Sequence, residues 1–250
     1  MKVKLYRNSE ELGKEAAKYS ATVLNKAIIE KGKARLLLST GASQFDTLKA
    51  LVKENVDWSK VEMFHLDEYV NLPPTHPASF CRYLKERFTS QVKLKATYFV
   101  KGEGDLDKHI KELSNQIRKE PIDLALVGIG ENAHIAFNDP PADFETTEAY
   151  IVVNLDEKCK KQQVREGWFP TAADVPKQAI SITVHQIMQS KVIVSAVPYL
   201  AKANAVKLTL ENEITNTIPA TKLKEHPDTT LFLDEESASL VSKELLAKFF

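Results

Sequence analysis

The sequence predicts a single α/β domain, built on a mostly parallel, doubly wound sheet with helices on both faces. In the first half, short apolar runs alternate four times with helix-like periodic stretches, as in parallel strands joined by crossover helices. The length of 250 residues suits one large α/β domain or two small ones. No internal repeat, low-complexity tract or Gly/Ser linker divides the chain. We therefore expect one domain over residues 1–250.

The elements of the first half follow from local patterns. Residues 1–6 alternate like a strand, and Glu11 lies three residues after Asn8, as in a capping box, so a helix to about Lys31 is expected. Further apolar and periodic stretches predict strands at 34–38, 61–65, 97–100 and 122–127, and helices at 45–51, 79–89 and 105–119.

The second half continues the alternation less regularly. It predicts strands near 151–153, 179–183, 192–196 and 230–233, and helices near 200–210 and 238–248. Residues 154–175 depart from the pattern, because a charged helix-like stretch precedes Gly167-Trp168-Phe169-Pro170. Such a segment fits a small mobile lid, and it equally fits an ordinary surface excursion with a docked tryptophan.

Composition excludes several classes of function. Lysine plus arginine and aspartate plus glutamate both number 34, so nucleic acid and acidic membrane surfaces are not expected as partners. Cys81 and Cys159 have neither C-x-x-C spacing nor a histidine in metal-ligand register, which disfavours a disulfide framework or zinc ribbon and fits a reducing, cytoplasmic setting. The opening residues lack signal-peptide features, and no apolar run approaches the length of a membrane span.

Three loops that follow predicted strands have unusual content, and ligands of open parallel sheets bind where such loops converge. The first loop is Ser39-Thr40-Gly41-Ala42-Ser43, with small hydroxyl residues around a glycine directly before a helix. Free N–H groups and the helix dipole make such a turn a phosphate site. The alternative is a helix cap and tight turn with no ligand.

The second loop contains two acids, Asp67 and Glu68, at the end of the strand that includes His65. We expect both carboxylates at the rim of the sheet, covered by the proline-rich residues 72–77. Carboxylates at a strand end are often merely solvated. A carboxylate that removes a proton from carbon, beside a histidine that moves a proton on a sugar oxygen, would however suit aldose–ketose chemistry.

The third loop follows the apolar run at 122–127, which breaks at Gly128 and Gly130 and then presents His134 and Asp139 five residues apart. Glycines let backbone N–H groups approach a phosphate or sugar closely and take positive φ. Asp139 is expected to orient His134 and to raise its basicity. Together these residues have the layout of an active site at a strand end.

Two other uses of these loops are disfavoured. Residues 128–133 fit the dinucleotide pattern G-x-G-x-x-A, but Asn138-Asp139-Pro140-Pro141 would halt the required long helix, and the motif lies midway along the chain. A metal site through His65, Asp67, His76 and His134 would lack two ligands on one element. We expect neither a metal nor a cofactor.

Four segments, at 39–43, 65–70, 76–80 and 128–138, together resemble the glucosamine-6-phosphate deaminase/isomerase family, in the same order along nearly the full chain. The resemblance implies a Rossmann-like, modified doubly wound fold. It also implies a cofactor-free reaction of amino-sugar metabolism, in which glucosamine or galactosamine 6-phosphate gives a ketose 6-phosphate and ammonia.

Matched by position, the resemblance implies a role for each residue of the site. Asp67 corresponds to the base that moves the C2 proton to C1 through an enolamine, and His134 to the residue that opens the pyranose ring. Asn132 and Asp139 fall where the family supports that histidine. Asp139 stands where glutamate is usual, and Asn132 where some members have aspartate; asparagine can hold an imidazole but cannot stabilise an imidazolium by charge.

For the phosphate, the resemblance implies Lys202, at the start of a helix, and Arg165, in the lid; each match needs an alignment gap. The turn at 39–43 and Gly130 complete the expected substrate-binding residues.

Two alternatives remain. The related 6-phosphogluconolactonases resemble Gly-His-Thr-Ala-Ser-Leu-Phe-Pro in the histidine motif, where this chain has Ala-His-Ile-Ala-Phe-Asn. A non-catalytic sugar-phosphate sensor would carry a helix-turn-helix segment and would need no pairing of Asp67 with His134. The expected partner is a small amino-sugar phosphate, and assembly into a homo-oligomer stays open.

Overall fold

The computed structural model describes residues 1–249, and Lys158 among them only by its backbone. Within these residues a seven-stranded, entirely parallel sheet has the order β1-β10-β9-β6-β2-β3-β5, and a smaller antiparallel sheet has the order β4-β8-β7. The strands are β1 (Lys2–Tyr6), β2 (Ala34–Leu38), β3 (Val61–His65), β4 (Asp67–Tyr69), β5 (Ala96–Tyr98), β6 (Leu124–Leu126), β7 (Tyr150–Asn154), β8 (Gln178–Ile182), β9 (Val192–Val197) and β10 (Thr229–Asp234). The predicted fold class is confirmed.

Helices cover the large sheet and connect its strands. They are α1 (Ser9–Lys31), α2 (Phe45–Leu51), α3 (Phe80–Leu84), α4 (Leu106–Ile117), α5 (Glu157–Arg165), α6 (Val184–Met188), α7 (Ala203–Glu211) and α8 (Lys243–Leu246). Among residues 1–249, none of these helices combines the length and apolarity needed to cross a bilayer.

The two faces of the large sheet bury separate apolar clusters, because successive side chains of a strand point to opposite faces. Leu36 and Leu38 of β2 pack in one cluster with Leu24 of α1. Leu37, between them, belongs to the other cluster with Leu113 of α4. Helices therefore pack on both faces, as the alternating pattern predicts.

Local signals explain where several helices begin. The Asn8 side chain accepts a hydrogen bond from Glu11 N at 2.9 Å, and Gly32 ends α1 with a φ of 75°. Ser79 and Asp105 similarly cap α3 and α4. The predicted helix at 79–89 is α3 followed by a π-helical turn.

Several predicted elements differ from the structure. The predicted helix at 238–248 is limited to α8. The chain from His65 to Tyr69 divides between two sheets: β3 ends at His65, and Asp67 begins β4, which pairs with β8. Helix α6 and a 3₁₀ helix over Pro219–Glu225 were not predicted.

Candidate active site

The candidate site lies at the carboxyl ends of four adjacent strands, β9, β6, β2 and β3. Each strand leads into a loop with one part of the site: Lys202, the segment from Gly128 to Asp139, the turn at 39–43, and Asp67. A pocket opens between these loops. Its lining consists of Ser39, Thr40, Gly41, Ala42, Ser43, Leu66, Asp67, Phe80, Gly128, Ile129, Gly130, His134, Ala136, Phe137, Gln162, Gln163, Glu166, Trp168 and Lys202.

Hydrogen bonds to α3 and to β9 fix the position of the turn at 39–43. Gly41 has a φ of 95°, which a residue with a side chain rarely adopts, and its carbonyl accepts from the Tyr83 hydroxyl at 2.9 Å. The Gln44 side chain donates to Ala196 O of β9 and to Ser43 Oγ, both at 3.0 Å. The chain then enters a 3₁₀ turn and α2, so the predicted turn before a helix is present in the pocket.

Asp67 is buried, with 7% of its surface exposed, and lines the pocket. Burial, and secondarily the neighbouring charge of Glu68, raise the pKa of Asp67 to about 8. Within residues 1–249 no side chain or backbone N–H donates a hydrogen bond to the Asp67 carboxylate, whereas the neighbouring Glu68 carboxylate accepts several. A carboxyl in this setting is a weak acid whose anion is a comparatively strong base.

Glu68 is placed differently from the prediction. The prediction of two acids at the rim is wrong for Glu68, which is 2% exposed and points away from the pocket lining. Its carboxylate accepts from the Ser79 hydroxyl at 2.7 Å and from backbone N–H groups of Cys81 and Phe80 at 2.8 and 3.2 Å. Glu68 therefore fixes the beginning of α3 beneath Asp67.

His134, Asp139 and Asn132 form a connected group. Asp139 Oδ1 lies 2.8 Å from His134 Nδ1 and accepts from Asn132 Nδ2 at 2.9 Å. Asn132 Oδ1 in turn accepts from the backbone N–H of His134 at 3.1 Å. Although burial alone would raise the pKa of Asp139, its interactions with His134 lower that pKa overall, so the carboxylate is charged and Nδ1 carries the hydrogen. The other ring nitrogen, Nε2, is left for a ligand.

Gly130 has to be a glycine because the His134 ring occupies the space that a side chain would need; its own backbone conformation does not require a glycine. A Cβ at Gly130 would lie 2.2 Å from His134 Nε2, so the ring packs directly over this residue. The predicted positive φ is wrong for both Gly128 and Gly130; positive φ values occur instead at Ala133 (65°) and Ala136 (51°). Ala133 directly precedes His134 and Ala136 follows two residues after it, so left-handed backbone occurs on both sides of the histidine that lines the pocket. No helix occurs over 128–139, so the dinucleotide motif lacks its helix.

Lys202 is 7% exposed and lines the pocket from the 3₁₀ turn before α7. Burial lowers the pKa of its ammonium, and the charges of Glu166 and Glu131 partly oppose that shift. Within residues 1–249 no carboxylate lies within ion-pair distance of the Lys202 ammonium, and Glu131 is paired with Arg165 instead. A buried cation without a close anion suits an anionic ligand.

Arg165 is not brought into the pocket, although sequence comparison placed it beside the phosphate. Its side chain is 59% exposed and forms an ion pair with Glu131. It lines a neighbouring surface depression instead. The pairing of Arg165 with Glu131, 34 positions earlier, depends on how α5 docks, which the linear sequence does not reveal.

The segment 154–175 covers the pocket with residues that sequence reasoning missed. Gln162, Gln163, Glu166 and Trp168 all line it. Gln162 Nε2 donates to Glu166 Oε1 at 2.7 Å, and Trp168 Nε1 donates to Glu166 Oε2 at 3.1 Å. In the sequence, Trp168 after Gly167 is the feature that could indicate which part of the segment 154–175 contacts the site.

The histidines considered as metal ligands are dispersed. His65 is fully buried, which lowers its pKa to about 3 and leaves it neutral, and His76 stacks on Phe169. In the part of the chain that the structure describes, the one group of three ligand-type side chains is His134, Asp139 and Cys159. Cys159 therefore lies near a histidine that is 25 positions earlier, a proximity that sequence spacing does not show.

The chain is similar to known proteins along nearly its whole length. Residues 7–232 match the family model described as glucosamine-6-phosphate isomerases/6-phosphogluconolactonase. The chain is 36% identical to a glucosamine-6-phosphate deaminase of Thermoanaerobacter pseudethanolicus, over 98% of this chain and 96% of that protein. It is 35% identical to a protein of the same name from Streptococcus uberis, over 96% and 99% of the two chains.

Solved structures show the same fold. One, described as a monomeric glucosamine-6-phosphate deaminase, has a TM-score of 0.87 at 31% identity and matches 96% of this chain and 100% of its own. A 6-phosphogluconolactonase from Thermotoga maritima has a TM-score of 0.77 at 17% identity, with 93% and 98% coverage, and indicates the fold alone. The match over residues 7–232 and identities above 30% along nearly the whole chain make this protein a member of the family of glucosamine-6-phosphate isomerases and 6-phosphogluconolactonases.

Proposed function

We propose that the protein is an amino-sugar-6-phosphate deaminase/isomerase, which converts glucosamine or galactosamine 6-phosphate to the ketose 6-phosphate and ammonia. The observation that carries the proposal is the meeting of Asp67 and the His134–Asp139 pair in one pocket with the buried cation of Lys202. The names of relatives at 35–36% identity support the same reaction.

Ring opening is assigned to His134. With Nδ1–H held by Asp139, Nε2 can take the proton of the sugar's C1 hydroxyl and return a proton to the ring oxygen as the C1–O5 bond breaks. Asp139 stabilises the imidazolium that forms between these two transfers, and Asn132 orients both groups through its amide. The product is the open-chain aldehyde.

The carbon chemistry is assigned to Asp67. Its carboxylate removes the C2 proton, and protonation of the aldehyde oxygen gives an enolamine between C1 and C2. The acid then returns the proton to C1, and the nitrogen at C2 becomes an imine. Water adds to that carbon and ammonia leaves, which completes the ketose. The steps need only acid–base groups of the chain, so the proposal includes no cofactor.

The phosphate is assigned to the turn at 39–43 and to Lys202. The turn offers backbone N–H groups before a helix, and the lysine supplies a full charge. Arg165 would join them only if residues 154–175 move as a lid and its ion pair with Glu131 opens. The proposal thus includes a lid over residues 154–175. It also includes a single domain over residues 1–250.

A cytoplasmic location is also part of the proposal. It is supported by the two cysteines, which are buried and form no disulfide. Family membership supports a sugar phosphate as the small-molecule partner.

The test is ammonia release from a panel of glucosamine, galactosamine and mannosamine 6-phosphates, with hydrolysis of 6-phosphogluconolactone measured alongside. We expect ammonia from at least one amino sugar and no lactonase activity above the uncatalysed rate. Lactone hydrolysis without ammonia release would favour the lactonase alternative. Tight binding of the sugar phosphates with neither activity would favour a sensor.

A further inference from the structure

The thiol of Cys159 lies against the His134–Asp139 pair. Cys159 occupies the first turn of α5, is 1% exposed, and takes no part in the proposed reaction. A ring nitrogen of His134, a carboxylate oxygen of Asp139 and the sulfur of Cys159 all lie within 4.8 Å of one another. Two ligands come from the loop after β6 and the third from the segment over the pocket.

The donor set is one that thiophilic cations prefer. Zinc binds Cys sulfur at about 2.3 Å and His nitrogen and carboxylate oxygen at about 2.0–2.2 Å, so neighbouring ligands in a tetrahedron lie roughly 3.5 Å apart. The most widely separated pair must approach by at most roughly 1 Å, whereas Nδ1 and Oδ1, 2.8 Å apart in their present contact, must separate slightly. Thiolate and imidazole together favour zinc or cadmium over magnesium or calcium.

A second observation points to the same place. Asp139 Oδ2 is buried and accepts no hydrogen bond of normal geometry within residues 1–249, whereas Oδ1 already accepts from His134 and Asn132. The backbone N–H of Asp156 lies close enough to help lower the pKa of this carboxyl but does not complete such a bond. A buried carboxylate oxygen without a partner is costly. A cation at this position would satisfy it.

We propose that His134, Asp139 and Cys159 form an inhibitory site for a thiophilic divalent cation such as Zn²⁺. Binding releases the Cys159 proton to solvent and moves the His134 proton from Nδ1 to Nε2, so that thiolate, Nδ1 and carboxylate bind the metal and one proton is lost. The fourth position stays open to water. The metal thereby fixes α5 to the loop of His134 and removes the histidine from acid–base chemistry.

The ligand set separates the proposed site from general binding of divalent cations at surface carboxylates. Cys159 is buried and contributes sulfur, whereas magnesium and calcium prefer oxygen ligands. The inhibition half of the inference rests on the proposed function; the metal-binding half does not.

Cobalt(II) titration of the full chain tests the binding half, because a thiolate-to-cobalt charge-transfer band reports a Co–S bond. Cys81 provides the matched control, since it is the other cysteine, is buried, and bonds to Val100 O outside the group. We expect the band in the unmodified protein and in Cys81→Ser, and its loss in Cys159→Ser. Cys159→Ala, which adds no hydroxyl at a buried position, serves if the serine variant does not fold.

Zinc inhibition of ammonia release tests the other half. We expect Cys159→Ser to keep the metal-free activity and to raise the Zn²⁺ concentration for half-inhibition by at least about tenfold, the lower range for the loss of a supporting residue at a metal site. A band or an inhibition curve unchanged in both Cys159 variants would overturn the inference. If the unmodified protein releases no ammonia, the proposed function fails, while the cobalt band still decides whether the site exists.

Discussion

At the residue scale, the ionisation of Asp67 links activity to stability. Its pKa of about 8 in the folded protein exceeds the usual 3.8 because the carboxyl is buried. Between these values the unfolded chain has lost a proton that the folded chain keeps, so the free energy of unfolding falls as pH rises from about 4 to 8. The base of the proposed reaction therefore destabilises the fold at neutral pH.

Asp67→Asn should consequently stabilise the protein, because the amide keeps the shape but, unlike the carboxyl, gains no free energy of ionisation when the chain unfolds at neutral pH. We expect a gain on the order of 2–4 kcal/mol at pH 7, shrinking toward zero near pH 4. Urea unfolding at both pH values measures it. Glu103→Gln, at an exposed position, is the control and should differ little from wild type at either pH. A stability gain independent of pH would contradict the raised pKa.

Gly130 is the second residue for which geometry makes a prediction. Gly130→Ala places a methyl group 2.2 Å from His134 Nε2, so the ring must move and its contact with Asp139 is disturbed. We expect kcat/KM to fall about 10²-fold, the scale of a misplacement of about 1 Å. In Gly128→Ala the new Cβ lies 3.3 Å from the end of the Gln44 side chain, so we expect a loss below about tenfold. Equal losses in two well-folded variants would contradict the packing argument.

At the scale of elements, the beginning of α7 matters because it buries Lys202 beside the turn at 39–43. Lys202→Ala should raise KM for the phosphorylated sugar about 10- to 100-fold with a smaller effect on kcat, since a hydrogen bond to a charged group contributes about 1.5–3 kcal/mol. Steady-state kinetics measure this. Lys207→Ala, in α7 directly after the turn of Lys202 and outside the pocket lining, is the control. An unchanged KM in Lys202→Ala would remove it from the phosphate site.

Elements defined by local chemistry could be predicted from the sequence. The Asn8 cap, Gly32 and the apolar strands carry their signals within a few residues, and those elements form as expected. Strand β4 could not be predicted in the same way, because its three residues pair with β8 more than a hundred positions later. The strand also turns Glu68 inward, where the sequence alone suggested a second acid at the rim.

The contacts of the site likewise differ in whether they could be predicted from local sequence. His134 and Asp139 lie five residues apart, so their contact follows from one loop. The approach of Cys159 and the diversion of Arg165 to Glu131 depend on how α5 docks, which no local pattern encodes.

At the scale of the whole molecule, strands β2, β3, β6, β9 and β10 of the large sheet contribute buried residues to both apolar clusters of residues 1–249. Neither face can lose its helices without exposing the sheet, so we expect residues 1–250 to unfold as one unit. Far-ultraviolet circular dichroism and the fluorescence of Trp58, measured in a Trp168→Phe background, should give coincident urea transitions. Two separated transitions would contradict a single domain.

The central claim is that Asp67 moves a proton between two carbons of an amino sugar. It is tested most directly by exchange of the C2 hydrogen of glucosamine 6-phosphate with solvent deuterium, followed by NMR, in wild type and Asp67→Asn. The account predicts exchange in wild type and a decrease of about 10²–10⁴-fold in a variant that still folds and binds the sugar phosphate. Exchange at the wild-type rate in Asp67→Asn would contradict it.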